Sequence, residues 1–272
     1  MATSTRAAKG AGVPLSHRLQ NVANAYIPAV LVFIGITIAW EAVVRVFDID
    51  TFLIPAPSLV FGTFVENSAQ LFEYGLNTFR EALGGFAIGC TLGIVTAMLA
   101  VRWRPLARLL VPISVASNSV PIIAFAPLAI VWFGINEGSK IAIVTVMCFF
   151  PTMISTFRGL TSISADSLEL MRSYAAGERA IFLKLRLPAA LPFMFTAFKL
   201  CSTLSMIGAI VTEFFGGSVK FLGVYIKTEA NILHTSNAWA AIIVACLLGL
   251  GFYLIITLIE RLVMPWHISF RS

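Results

Sequence analysis

The sequence predicts an all-α integral membrane protein with six transmembrane helices, on three observations. Hydrophobic residues make up 58% of the chain and charged residues only 12%, against about 25% charged in soluble domains. Mean hydropathy is +0.91. The apolar residues gather into runs of spanning length, and 272 residues accommodate roughly six runs of about 20 residues with their loops in one integral domain.

Residues 1–25 are small and polar with Arg6, Lys9 and Arg18, and are expected to form a loosely ordered tail. The first span covers Tyr26–Phe47. It carries no small-residue cleavage site, so it is retained rather than removed as a signal peptide. Glu41 and Arg45 lie four residues apart near its far end and can pair on one helix face. Residues 48–77 are mixed and polar and suit a surface segment with a short amphipathic helix. The second span runs Phe79–Val101, with Gly85, Gly89 and Gly93 on one face. That stripe admits a second helix at close range.

The third span, Leu109–Phe133, is broken by Pro112, Pro121 and Pro127 and holds Ser114, Ser117, Asn118 and Ser119. Non-helical backbone at membrane depth is tolerated only where protein or a wet cavity surrounds it. Two readings fit: this span lines the interior, or it is a kinked packing element with locally satisfied hydroxyls. The fourth span is Ile141–Phe157. The fifth is Phe193–Phe215, with Ser202, Thr203, Ser205, Thr212 and Glu213. A surface loop, 216–237, leads to the sixth, Ala238–Val263. Residues 266–272 form a short tail.

Six spans put both termini on one side. The Lys and Arg residues number 19. Arg6, Lys9, Arg18, Arg102, Arg104, Arg108, Arg158, Arg172, Arg179, Lys184, Arg186, Lys199, Arg261 and Arg271 fall on the side of the N-terminus. Only Arg45, Arg80, Lys140, Lys220 and Lys227 fall on the other. Positive charge accumulates in cytoplasmic loops, so both termini are expected inside. The net charge of +6 is thus a topology signal, and its scatter among loops gives no nucleic-acid-binding patch. The lipid bilayer is the solvent for most of the chain.

Cys90, Cys148, Cys201 and Cys246 each sit in an apolar run without metal-ligand spacing, and read as buried small hydrophobes. His17, His234 and His267 form no motif. No G-x-x-x-x-G-K-[ST] phosphate loop, H-E-x-x-H pair or Ser/His constellation occurs, so an intramembrane enzyme is disfavoured and no metal site is expected. An ion-coupled transporter would show internal repeats and ionisable residues near the midplane. No repeat is evident, Glu213 lies toward a span end, and Glu41 has a partner. A non-transporting scaffold would not need Ser and Asn in a proline-broken span.

The one long polar interruption runs from Ser162 to Arg186, with Asp166, Glu169, Arg172, Glu178, Arg179, Lys184 and Arg186. The charge count makes it cytoplasmic. Asp166 and Glu169 suit the first turns of a helix, and Leu168, Met171 and Ala175 recur at helical spacing. Ala175, Ala176 and Gly177 make a small-residue elbow. A second helical stretch, Glu178–Leu187, is expected to stop before Pro188, with Pro192 in the first turn of the fifth span. Such an elbow, laid against the mouth of the bundle, can enter a partner's cleft, and flanking charges can orient it.

The segment Met171 to Arg179, with Phe182, Lys184 and Leu187 to Pro192, resembles the EAA loop of binding-protein-dependent ABC importer permeases, of the nitrate/sulfonate/taurine-type branch. Pro55 to Ser58, Arg80 with Gly84, Gly85 and Phe86, Pro121 to Leu128 leading to Trp132, Phe133 and Gly134, Glu213 to Gly217, and Leu222 with Gly223 agree in order across residues 26–265. The family usually has Gly where this chain has Ala175, and a small residue where it has Met171; Gly177 is then expected to supply the flexibility.

The resemblance implies a type I ABC importer permease fold with a cytoplasmic coupling helix, in the bacterial inner membrane. It implies a transport subunit without its own ATPase site, holding no cofactor (ATP and Mg²⁺ belong to the partner). The implied partners are ABC ATPase subunits, an extracytoplasmic solute-binding protein and a second permease subunit, with a homodimer favoured. Within the loop at about 162–192, Leu168, Glu169, Arg172, Ser173, Tyr174, Ala175, Ala176, Gly177 and Glu178 are the candidates for ATPase docking. Ser117, Asn118, Ser119, Ser202, Ser205 and Met206 are candidates for the pathway, with helix–helix hydrogen bonding as the alternative. The implied solute is a small organic molecule or oxyanion: sulfonate- or nitrate-like, or a pyrimidine- or flavin-type vitamin precursor. The neutral pathway candidates lean toward a neutral or aromatic organic solute.

Overall fold

The computed structural model describes the backbone of residues 15–117 and 121–265, with side chains described from residue 27 onward except at 104, 111, 115–117 and 123. Every regular element among these residues is helical. In chain order they are α1 (Leu15–Val46), α2 (Pro57–Glu66), α3 (Ser68–Arg102), α4 (Arg104–Ser117), a 3-10 turn (Ile122–Phe125), α5 (Ala126–Phe133), α6 (Glu137–Thr161), α7 (Ala165–Ser173), α8 (Glu178–Ile181), a π-helical turn (Phe182–Arg186), α9 (Leu187–Glu213), α10 (Leu222–Asn231) and α11 (Thr235–Val263).

Among the described residues, five helices are long and apolar enough to cross a bilayer: 27–46, 68–102, 137–161, 178–213 and 235–263. The expected third span is not among them. The described residues between 104 and 133 fall into α4, the 3-10 turn and α5. Pro112 lies inside α4, and Pro121 and Pro127 also lack the N–H that a continuous helix requires. Gly134 ends α5 with φ +83, backbone that glycine adopts without steric cost.

Other boundaries also differ from expectation. The backbone is already helical from Leu15 in the expected tail. The second span begins at Ser68 rather than Phe79. Its 35 residues extend about 50 Å at 1.5 Å per residue, well beyond a hydrocarbon core of about 30 Å. The stretch from Glu178 does not stop before Pro188; it runs through to Glu213. The π-helical turn 182–186 precedes Pro188, widening the backbone where a proline ring would otherwise crowd the carbonyl one turn back.

The centre of the molecule is the seam where α3, α6 and α9 meet. A Cβ on Gly89 would lie 2.5 Å from the Thr145 carbonyl oxygen and 2.9 Å from Cys148 Cβ, and one on Gly93 would lie 2.8 Å from the Phe149 oxygen. The glycine stripe is therefore a packing face: α6 lies against α3 at a separation only glycine permits. Gly159 repeats the device between α6 and α9, with a Cβ position 2.8 Å from Ala190 Cα. The approach also brings polar groups together. Thr145 donates to the Gly85 carbonyl at 3.4 Å, and Thr152 reaches Cys90 Sγ at 3.4 Å.

Half of the most apolar window of the fourth helix in that set is buried, against 6% for α1, so α9 is central and α1 peripheral. An edge-to-face aromatic stack of Phe79, Phe86, Phe195, Phe198 and Phe252 joins α3, α9 and α11, with centroids 4.9–6.2 Å apart. Cys90, Cys148 and Cys201 are buried, as expected. Cys246 is exposed, on the side of α11 that borders open apolar grooves with α1, α2 and α9. The expected Glu41–Arg45 pair forms at 2.6 Å. Ser58 extends it, donating to Glu41 from its amide at 3.0 Å and its hydroxyl at 2.8 Å, which holds α2 against α1.

Gly89→Ala should lower the melting temperature of the detergent-purified chain by several degrees, since overpacking a tight core costs about 1–3 kcal/mol. Gly251→Ala, where nothing lies within 4 Å of the added Cβ, should leave it unchanged. Circular dichroism melts of the two variants check this.

Candidate functional site

The polar insert forms the sharpest local structure in the chain. Ser164 caps α7, its hydroxyl accepting from the Ser167 amide at 3.3 Å and meeting the Ser167 hydroxyl at 2.8 Å. Asp166 sits in the first turn and Arg172 in the last, each matching the helix dipole at its own end. The helix closes in a Schellman arrangement: the Ala176 amide donates to Met171 O at 3.1 Å and the Ala175 amide to Arg172 O at 2.9 Å. That geometry requires a left-handed residue, and Ala175 supplies it at φ +54. The position where glycine is usual in the resembled loop is thus the strained one. Gly177 does not take that role: at φ −68, ψ 160 it has ordinary extended backbone and introduces α8.

No residue of α7 is buried. Glu169, Arg172, Ser173, Tyr174, Ala175, Gly177 and Glu178 are exposed; Leu168 and Ala176 are half-buried. The nine loop candidates thus lie along the second half of α7, the elbow and the first residue of α8, mostly exposed. Leu170 was not among the expected residues. It is 57% exposed and lies four residues before Tyr174, which is 77% exposed. The spacing of four was legible in the sequence; which face of the stripe turns outward was not.

The pathway candidates divide differently. The side chain of Ser117, and Asn118 and Ser119 altogether, lie outside the described residues. Ser202 and Ser205 are fully buried. Their hydroxyls donate to carbonyls three residues earlier on the same helix, Lys199 at 2.8 Å and Ser202 at 3.0 Å. Met206 belongs to the apolar cluster with Val144, Cys148, Cys201 and Ala209. Within one chain these three residues face packed neighbours. Ser114, from the broken third span, likewise donates to Leu110 O at 2.7 Å.

Two charge clusters were not anticipated from sequence. Lys199, counted among loop cations, sits inside α9 and pairs with Glu260 of α11 at 2.8 Å. At the opposite end of the bundle from α7, Glu81, Lys140 and Glu213 are each 1% exposed. Lys140 donates to Ile135 O at 2.9 Å, stands 3.8 Å from Glu81, and lies 5.4 Å from the Phe221 ring centroid. Glu213 accepts from the Gly223 amide at 2.5 Å, and Thr78 accepts from Leu222 at 3.0 Å. The cluster fastens the chain that enters α10 onto α3, α6 and α9. Lone charges at span ends carry no periodicity that would reveal such partners.

Long apolar helices, glycine-mediated contacts and ion pairs enclosed between spans define a multi-pass membrane protein. Comparison with known sequences makes this specific. The profile of the family described as binding-protein-dependent transport system inner membrane component matches residues 89–266, and the chain belongs to that family. It is 29% identical to the formylaminopyrimidine transport permease protein of Halalkalibacterium halodurans, over 87% of this chain and 94% of that one. It is 31% identical to the riboflavin transport system permease protein of Chloroflexus aurantiacus, over 85% and 86%. It is 25% identical to the taurine transport system permease protein of Escherichia coli, over 74% and 70%. The chain is an ABC transport permease subunit of the sulfonate/nitrate branch and not an enzyme; in this family ATP hydrolysis belongs to a separate subunit.

Ala175→Gly should relieve roughly 1 kcal/mol of left-handed strain and slow amide hydrogen exchange at positions 175 and 176 about fivefold; mass-resolved exchange on the purified chain measures it. Lys140→Met strands two buried carboxylates, so it should cost about 3–5 kcal/mol and reduce the folded fraction seen by size-exclusion chromatography.

Proposed function

We propose that this chain forms half of the solute pathway of an ATP-driven importer and receives its mechanical work at the elbow Tyr174–Gly177. The observation that carries the proposal is the bare α7. It is capped at both ends, held in a defined turn, and buries none of its nine residues. A membrane protein gains nothing in stability from an ordered helix that touches so little of itself. Docking would bury Leu170 and Tyr174, each a gain of roughly 1.5–3 kcal/mol. Leu168, Glu169, Arg172, Ser173, Ala175, Ala176 and Glu178 would set the register around them.

In this reading α4, the 3-10 turn and α5 together make the sixth crossing, and both termini and α7 are cytoplasmic. Residues 26–265 form the transport domain between two short tails. Mg²⁺–ATP binds the partner ATPase, and a solute-binding protein delivers cargo at the opposite end. The bundle has two arrangements, biased by nucleotide on one side and loaded receptor on the other. A second copy of the chain completes the pathway, where Ser117, Asn118, Ser119, Ser202, Ser205 and Met206 are the candidate lining. For the solute, we favour a neutral or aromatic organic molecule over a bare oxyanion. The relatives named for formylaminopyrimidine and riboflavin transport support that choice, as does the neutrality of the candidate lining.

Ala176→Arg should abolish uptake in proteoliposomes containing the full complex, while membrane insertion and basal ATP hydrolysis persist. Uptake equal to wild type would refute docking at the elbow. Nucleotide-independent uptake by the permease alone would refute the whole mechanism.

A further inference from the structure

Beside the foot of α7 lies a polar cleft of about 680 Å³ between the last turn of α3 and the run of α8 and the π-helical turn. Three guanidiniums line it, from Arg102, Arg179 and Arg186, with Glu178 as the one carboxylate. Arg179, Phe182 and Arg186 follow at spacings of three and four and so share a helix face. Arg102 ends α3 opposite them. None of the three arginines has a recorded ion pair or hydrogen bond among the described residues. The cleft thus carries two uncompensated positive charges. Its floor is apolar: Met98, Val101 and Phe182 pack onto the cluster of Leu160, Ala190 and Met194. The next residue after Arg102 is Trp103, 62% exposed, a side chain that favours the headgroup level of a bilayer.

We propose that this cleft seats the phosphate group of an anionic membrane lipid. The guanidinium fork matches phosphate oxygens in pairs. Three such forks around one space favour a phosphate over a point-like ion. The apolar floor beneath them favours an amphiphile over free phosphate, because the glycerol and first methylenes find hydrocarbon contact where the headgroup is held. Basic pockets between helices at the membrane surface bind such headgroups. The seat stands whichever side of the membrane α7 faces, and whether or not α7 meets an ATPase.

The test uses the full chain in nanodiscs of equal phosphatidylglycerol and phosphatidylcholine, released for native mass spectrometry. Wild type is expected to retain phosphatidylglycerol several-fold over phosphatidylcholine, and to lose that preference at high salt. Combined Arg102→Gln, Arg179→Gln and Arg186→Gln should remove it, while combined Arg80→Gln, Lys220→Gln and Lys227→Gln, an equal charge change at the other end, should not. Melting in pure phosphatidylcholine discs verifies that the triple variant folds; if it does not, Arg186→Gln alone is expected to reduce the preference. Equal retention of both lipids by wild type, or undiminished preference in the folded arginine variant, would overturn the proposal. Protection of wild type in phosphatidylcholine discs by millimolar inorganic phosphate, equal to that given by phosphatidylglycerol, would assign the site to a free anion and overturn the lipid assignment.

Discussion

The close contact of α3 with α6 is the constraint on which the rest of the structure depends. In a bilayer the solvent is as apolar as the side chains, so helices gain little by hiding leucines from it. What remains is van der Waals contact at short range, and Gly85, Gly89, Gly93 and Gly159 provide it by letting backbones touch. Once α6 is fixed between α3 and α9, the aromatic stack with α11 has a surface to form on. The polar residues between the helices must then find partners among themselves.

They do so in two places of different character. Lys199 with Glu260 ties two long helices through one short ion pair. Glu81, Lys140 and Glu213 instead tie a loop to three helices, using backbone amides and an aromatic face as well as charge. Buried ions are costly unless paired and hydrogen-bonded. Their presence at the end away from α7 means that the chain around Gly223 is held in one position. The two ends of the bundle are therefore built on opposite plans: one fastened by enclosed charge, the other presenting a helix that touches almost nothing and a cleft of arginines without an ion pair among the described residues.

The projecting loop is defined by local rules alone. Ser164 begins α7, the Schellman bonds end it, and Ala175 accepts a left-handed backbone to close them. Local strain is sustained only where surrounding structure over-determines it. Here two hydrogen bonds of the helix end do so, without tertiary support. That combination of firm local geometry and absent packing suits an element meant to be gripped, and it separates α7 from the packed α10, which buries Leu222, Gly223 and Ile226.

The amino-acid sequence by itself determined the all-helical membrane class, most span positions, the glycine packing face and the location of the loop. Composition, hydrophobic run length and four-residue spacing are local quantities, and helices in a bilayer must satisfy their backbone within the segment. The same locality explains the failures. Whether residues 104–133 run as one helix or three pieces, and whether the helix halts at Pro188 or passes it through a π turn, depends on what the neighbouring helices allow. The partners of Lys140 and Lys199, the outward turn of Leu170, and the gathering of Arg102 with Arg179 and Arg186 were decided only by tertiary structure. The pairs Lys140–Glu81 and Lys199–Glu260 and the arginine cluster join residues tens of positions apart, and no single-helix periodicity encodes such a distance.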